Sequence, residues 1–201
     1  MSDSLDFMLR LALFSIIHSV LAAPRFKEWL QSLVKGGLPG YRLFYNLLSF
    51  LLFAWVMLAW KSTKVLFVFP GIWSLVLYGL QFLVLWLGFI CVGQTGLSAF
   101  SGINFSQENV KPQLVTTGCY AMVRHPLYLL GTLFLILNPV ITTRWLALTL
   151  FSVLYFMAGA LLEERRMIKQ YGDVYRTYQQ DVPFIFPRLN RHPKVEKINV
   201  S

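Results

Sequence analysis

The sequence predicts an all-α integral membrane protein of about five transmembrane helices, with a C-terminal helical hairpin and a cytoplasmic amphipathic C-terminal segment. Three observations carry that prediction. Of 201 residues, 56% are hydrophobic and 13% charged, against about 25% charged in soluble domains. Five apolar runs occur, Leu5 to Ala23, Leu43 to Trp60, Ile72 to Val92, Leu127 to Val140 and Trp145 to Leu162, where roughly 20 residues cross about 30 Å of hydrocarbon. The polar segments between them divide the basic residues unevenly.

The first run carries His18 and stops at Pro24. Asp3 and Asp6 outnumber Arg10 ahead of it, so it reads as a retained span and not as a cleaved signal peptide. Arg25-Phe26-Lys27-Glu28-Trp29-Leu30 then alternates charge with bulk at helical spacing, which predicts a short interfacial helix with Trp29 at headgroup depth. Gly36-Gly37-Leu38-Pro39-Gly40 breaks the chain. An ionisable residue inside a span is a functional candidate by default; the plainer expectation for His18 is a neutral imidazole bonded to a neighbouring helix.

The second run opens at Tyr41-Arg42 and leaves at the interface pair Trp60-Lys61, and Pro70-Gly71 turns the chain into the third. Gln81 is the strongly polar interior residue there and is expected to bond to an adjacent helix. Cys91 falls in this span and Cys119 in a loop, a pattern that suggests no disulfide framework. From Gly93 to Lys111 the Gly, Ser, Asn and Gln content reads as a loop, placed to cover whatever binds next to it. The fourth run is short: at about 1.5 Å per residue it reaches only roughly 20 Å, so it is expected to dip into the bilayer or thin it locally.

Net charge is +9. If the loops after the first and third runs share a side with the C-terminus, that side holds Arg25, Lys27, Lys35, Arg42, Lys111, Arg124 and eight basic residues from Arg165 to Lys197, or 14 of the 18 Lys and Arg. Arg10, Lys61, Lys64 and Arg144 remain on the other. The asymmetry predicts that the polar loops and tail face the cytoplasm, and it reads as topology and anionic-lipid contact, with no nucleic-acid partner.

The stretch from Leu114 to Pro187 organises the rest. A polar approach, Thr117-Gly118-Cys119-Tyr120-Ala121-Met122-Val123-Arg124-His125, ends at Pro126, which fits the first turn of a helix because its missing N–H costs nothing there. The apolar residues that follow stop at Asn138-Pro139, break at Thr142-Thr143-Arg144, resume at Trp145 and end on Glu163-Glu164-Arg165-Arg166. Two apolar helices joined by a tight break form a hairpin whose ends return to one side. Arg124 and His125 should therefore meet Glu163 and Glu164. Beyond them Met167, Ile168, Tyr171, Val174, Tyr175 and Tyr178 keep a three-to-four spacing, interrupted by Gly172-Asp173, which predicts a continuing amphipathic helix. The apolar Val182-Pro183-Phe184-Ile185-Phe186-Pro187 is expected to fold back over the hairpin mouth.

Gly118-x-Tyr120-x-x-x-Arg124-His125-Pro126-x-Tyr128, then Glu163-Glu164, Tyr171-Gly172-x-x-Tyr175-x-x-Tyr178 and Val182-Pro183-x-x-x-Pro187, resemble the isoprenylcysteine carboxyl methyltransferase family. More loosely, His18-Ser19-Val20-Leu21-Ala22-x-Pro24-x-Phe26-Lys27-x-Trp29 resembles a bacterial branch with methanethiol S-methyltransferases and NnrU-type membrane proteins. The resemblance implies an integral membrane methyltransferase using S-adenosylmethionine, held between the last hairpin and the C-terminal segment, with methyl transfer to a carboxylate or thiol of a lipophilic or small substrate. It divides the chain into a three-helix region at 1–92, a methyltransferase region at 93–187 and a basic tail at 188–201, and it implies the inner membrane of a bacterium. The eukaryotic prenylcysteine enzymes carry an arginine shortly before the paired glutamates, where this chain has Tyr155-Phe156-Met157-Ala158-Gly159-Ala160-Leu161-Leu162.

Such a donor needs acceptors for its cationic centres, a donor for its carboxylate and an apolar slot for its adenine. Glu163 or Glu164 suits the ammonium, and Arg124 or His125 the carboxylate. Tyr128, one turn inside from His125, suits the sulfonium. Gly131 and Gly159 offer flat surfaces or close helix packing. Tyr175, Tyr178 and the Phe184 to Phe186 patch are candidates for the adenine wall or for the buried face of a helix. The expected site is thus Gly118, Tyr120, His125, Tyr128, Glu163, Glu164, Tyr175 and Tyr178 for the cofactor, with Glu164 and Arg124 catalytic, Glu164 as base for a thiol, and no metal. Two other readings stay open: an NADPH-dependent membrane reductase, since sterol reductases resemble this region, and a non-catalytic membrane scaffold.

Overall fold

The computed structural model describes residues 3–34, 40–59, 63–96 and 114–188. It is mostly helical and forms two compact units, the first holding the helices within residues 3–59 and the second the elements within residues 65–95 and 114–188. The third apolar run therefore belongs with the C-terminal elements, a different grouping from the sequence division at residue 92. The expected loop cover, the glycine break and the basic tail fall on residues 97–113, 35–39 and 189–201, outside the described residues.

In the first unit α1 (Asp3–Ala22) and α3 (Tyr41–Met57) run antiparallel. Tyr41 Oη donates to the Leu21 carbonyl at 2.9 Å, Tyr45 Oη lies 2.8 Å from His18 Nε2, and Arg10 stacks 4.6 Å over the Trp55 ring. Phe7, Leu11 and Val56 are among the buried apolar residues of this unit. His18 takes the expected interhelical role, with Ser49 Oγ 3.0 Å from its Nδ1. Between them α2 (Pro24–Leu33) starts with proline in its first turn and buries none of its residues.

The second unit holds β1 (Val65–Val68), α4 (Ile72–Gln94), α5 (Cys119–Met122), α6 (Pro126–Ile136), β2 (Val140–Thr142), α7 (Thr143–Tyr171) and α8 (Asp173–Asp181). The helices α1, α4 and α7 are long and apolar enough to cross a membrane, and α3 and α6 are shorter apolar helices. Gln81 on α4 donates to the Phe134 carbonyl of α6 at 2.8 Å, as its isolation in an apolar run requires. Two sequence expectations need correction. Val65-Leu66-Phe67-Val68, β-branched and aromatic but too short for a helix, pairs antiparallel with Val140–Thr142, so a small sheet accompanies the helices. Cys91 and Cys119 are joined in a disulfide with Cα atoms 5.7 Å apart. The reason is that α4 continues to Gln94 and the Gly118 turn brings Cys119 back onto it, with its N–H donating to Gln94 Oε1 at 2.9 Å.

The α6 and α7 arms form the expected antiparallel hairpin. Thr142 caps α7 by accepting from the Trp145 N–H, and the Trp145 indole donates to the Leu135 carbonyl at 2.8 Å. A Cβ on Gly131 would lie 3.2 Å from the Phe156 ring, and one on Gly159 would lie 3.3 Å from Tyr128 Oη. Both glycines thus admit an aromatic ring from the opposite arm. From Thr143 to Glu163 the α7 axis rises about 30 Å, the thickness of a hydrocarbon core. The helix then runs on to Tyr171.

At Gly172 φ is +57° and ψ −128°, a backbone region that glycine occupies freely and other residues enter only under strain. This bend turns α8 back along α7, burying Tyr175, Tyr178 and Val182 against Leu114, Met167, Ile168 and Tyr171. No heavy atom lies within 4 Å of a Cβ built at Gly172. Gly172→Ala therefore tests the backbone alone: thermal unfolding should report a loss of about 1–3 kcal/mol, and an unchanged midpoint would refute the turn.

Candidate active site

Pro126 starts α6 and leaves His125 as its N-cap residue, while the Gly118 turn and the single-turn α5 deliver Arg124 beside it. At 3.6 residues per turn, consecutive glutamates on α7 point about 100° apart. Hairpin closure brings all four side chains to one end of the second unit.

Glu164 faces inward and has both oxygens engaged. Its Oε1 accepts from Arg124 Nε at 2.6 Å and lies 3.4 Å from His125 Nε2, while its Oε2 accepts from Gln179 Nε2 at 2.8 Å. Arg124 is equally committed. Its guanidinium donates to the Gln179 carbonyl at 3.0 Å and to the Val182 carbonyl, and lies over the Phe184 ring. Side-chain exposures of 10% for Arg124 and 13% for Glu164 make this a largely desolvated pair, held by partners on Arg124 Nε and Nη1 and on both Glu164 oxygens. Gln179 was invisible to the sequence reading. Its signal would have been a polar residue one position after Tyr178, on the flank of an apolar stripe.

The backbone completes the connection. The Arg124 N–H donates to the Pro183 carbonyl at 2.9 Å and the His125 N–H to the Phe184 carbonyl at 3.2 Å. The apolar patch after Val182 thereby folds back over the hairpin mouth, and the Phe184 ring meets the His125 ring edge-on at 4.9 Å.

Glu163 is different. Its side chain is 41% exposed, and Oε2 stands 3.8 Å from His125 Nδ1. The Tyr128 hydroxyl bonds to the Glu163 carboxylate, and the Tyr128 ring lies 5.6 Å from that of His125. Burial pushes the His125 pKa below its ordinary 6.5 despite the nearby Glu163 and Glu164, which favour the charged form, while Arg124 opposes it. Burial thus favours the neutral imidazole. Burial, then the charge of Glu163, raises the Tyr120 hydroxyl, which stays protonated.

Tyr175 and Tyr178 are each 3% exposed, and Tyr178 donates its hydroxyl to the Tyr120 carbonyl. They form the buried face of α8, one of the two roles their spacing allowed. Gly118, with φ +61°, packs against the Gln94 side chain. The accessible members of the cluster are thus Glu163, Tyr120, Tyr128 and Gly118, backed by the buried His125 and by Arg124, Glu164, Gln179, Tyr175 and Tyr178.

Comparison with known proteins adds an independent line. The sequence model described as phospholipid methyltransferase matches residues 69–174. A methanethiol S-methyltransferase of Pseudomonas deceptionensis is 30% identical over 198 residues, covering 92% of this chain and 73% of its own. Methanethiol S-methyltransferase 2 of Bradyrhizobium diazoefficiens is 30% identical over 197 residues, 90% of this chain and 72% of its own. A protein-S-isoprenylcysteine O-methyltransferase of Schizosaccharomyces pombe is 36% identical over 117 residues, 51% of this chain and 48% of its own. No solved structure matches.

Proposed function

Since the chain belongs to the phospholipid methyltransferase family and is a methyltransferase of the membrane, we propose that S-adenosylmethionine is its donor and a small thiol its acceptor. The observation that carries this reading is the division of labour between the glutamates. One carboxylate is saturated by Arg124, His125 and Gln179, while its neighbour is open beside a neutral imidazole and a tyrosine hydroxyl.

That donor set suits a cationic ligand. Glu163 supplies the negative charge, Tyr128 and Tyr120 supply hydroxyls and ring faces, and the Arg124 to Val182 and His125 to Phe184 links fix the wall behind them. When bound, S-adenosylmethionine supplies an electrophilic methyl group on a sulfonium, with a neutral thioether as leaving group. The residues need to align acceptor and methyl and to exclude water, and they need no acid for the leaving group.

Two observations favour a thiol over a carboxylate. Relatives named for methanethiol S-methylation align over 90% or more of this chain, and two named for isoprenylcysteine O-methylation over 51% and 45%. The nearby guanidinium of Arg124 is spent on Glu164 and on backbone carbonyls, and no arginine occurs between Tyr155 and Leu162 to bind an acceptor carboxylate. The charge asymmetry supports a site on the cytoplasmic side. The disulfide argues for an oxidising compartment; 14 of 18 basic residues outweigh one cysteine pair, and in a reducing cytosol Cys91 and Cys119 are adjacent free thiols.

Detergent-purified protein should be stabilised against heat by S-adenosylhomocysteine and not by NADPH, and should convert small thiols to methyl thioethers. Stabilisation by NADPH alone would favour the reductase reading. Methylation of a prenylcysteine carboxylate without any of the thiols would overturn the acceptor.

A further inference from the structure

We propose that Glu163 and His125 act together as the base that takes the proton from the thiol, an assignment that rests on the thiol reading above. Glu164 is excluded from this role because both its oxygens are engaged.

The proton inventory leads there. An ionised carboxylate only accepts hydrogen bonds. With Glu164 Oε1 in contact with Nε2 at 3.4 Å, the single proton of a neutral imidazole belongs on Nε2. Nδ1 is then a bare lone pair facing another acceptor, Glu163 Oε2, across 3.8 Å. The two acceptors face each other across that gap, with Tyr128 the hydroxyl donor to the Glu163 carboxylate, and one proton between them bridges both. The His125 side chain is 4% exposed and Glu163 41%, so the proton arrives through the carboxylate and is shared with the ring behind it. A carboxylate by itself is too weak a base for an alkyl thiol.

The charged and titratable groups facing His125 are few. Glu163 and Glu164 come from α7, Tyr128 from α6 and Arg124 from the approach, with the Phe184 ring closing the remaining side. Arg124 is neutralised by Glu164, so the nearest unmatched charge is Glu163 and it favours accepting a proton.

The step balances. The S–H bond breaks, its electron pair stays on sulfur, and the proton sits between Glu163 Oε2 and His125 Nδ1. The thiolate then forms a bond to the methyl carbon as that carbon leaves the sulfonium as a neutral thioether. One proton passes from Glu163 to water per turnover.

The test compares an alkyl thiol, protonated at neutral pH, with an aryl thiol acidic enough to be largely ionised. Rates are measured at saturating donor for the full chain and for His125→Asn and Glu163→Gln. General-base catalysis contributes about 10²–10⁴-fold. Each variant should therefore lose about 100-fold or more rate with the alkyl thiol relative to the aryl thiol. Taking the ratio of the two rates cancels any lost donor affinity. The thermal-unfolding midpoint without ligand reports folding, and nitrogen-15 NMR of labelled histidine should show Nδ1 unprotonated at neutral pH. Equal losses with both thiols, or a proton on Nδ1, would overturn the base assignment and leave the thiol reading intact. Wild-type protein that methylates neither thiol would overturn both.

Discussion

Glu164→Ala should cost the C-terminal unit about 3–5 kcal/mol, because it strands a guanidinium already withdrawn from water. Arg124 would keep its two backbone acceptors but lose its counter-charge, Gln179 would lose its carboxylate, and His125 would lose the acceptor that fixes its tautomer. The midpoint of thermal unfolding in detergent should drop, and stabilisation by S-adenosylhomocysteine should vanish with it. Arg124→Met in the same chain should recover a large part of the lost stability, since removing both charges removes the uncompensated one. Donor stabilisation should stay absent in that double variant, because the side-chain links from the hairpin to the Gln179 and Val182 carbonyls are gone. A Glu164→Ala protein with an unchanged midpoint would show that the ion pair does not fasten α8 to the hairpin.

Acidification should weaken the protein over a window that opens below about pH 6.5, the ordinary histidine value. The sign follows from His125, whose folded pKa is depressed, chiefly by burial. Above the unfolded value both states are neutral and the full stability is present. As pH falls, the unfolded chain takes up a proton that the folded site resists, so stability declines until the folded pKa is passed. The ceiling is about 1.4 kcal/mol per pH unit. Unfolding midpoints at pH 7.5, 6.5 and 5.5 measure it, a range above most carboxylate titration. His125→Asn should flatten the profile between pH 6.5 and 5.5. A wild-type profile that is flat there, or that rises on acidification, would mean the imidazole is charged in the folded protein.

Much of the site was legible because it depends on patterns that are local in the chain. Pro126 set the start of one helix, Glu163-Glu164 marked the polar end of the other, and a short break between them forced an antiparallel return. What stayed hidden depends on rotation about a helix axis. Neighbouring glutamates have the same chemistry, and only the packing of α8 and α5 decides which faces Arg124 and which faces outward. Gln179, the burial of Tyr175 and Tyr178, and the Cys91 to Cys119 bond escaped for the same reason, since each joins residues whose separation in sequence says nothing about their separation in space.

Composition, periodicity and the order of proline, glycine and charge were enough to determine a membrane-embedded helical chain whose polar ends gather around His125, because burial of apolar surface and the backbone's need for internal hydrogen bonds leave few alternatives in lipid. Tertiary structure alone decided which acid is buried among donors and which is the more exposed. A carboxylate becomes a scaffold or a reactive group according to how many donors reach it, and that number exists only after distant segments have packed.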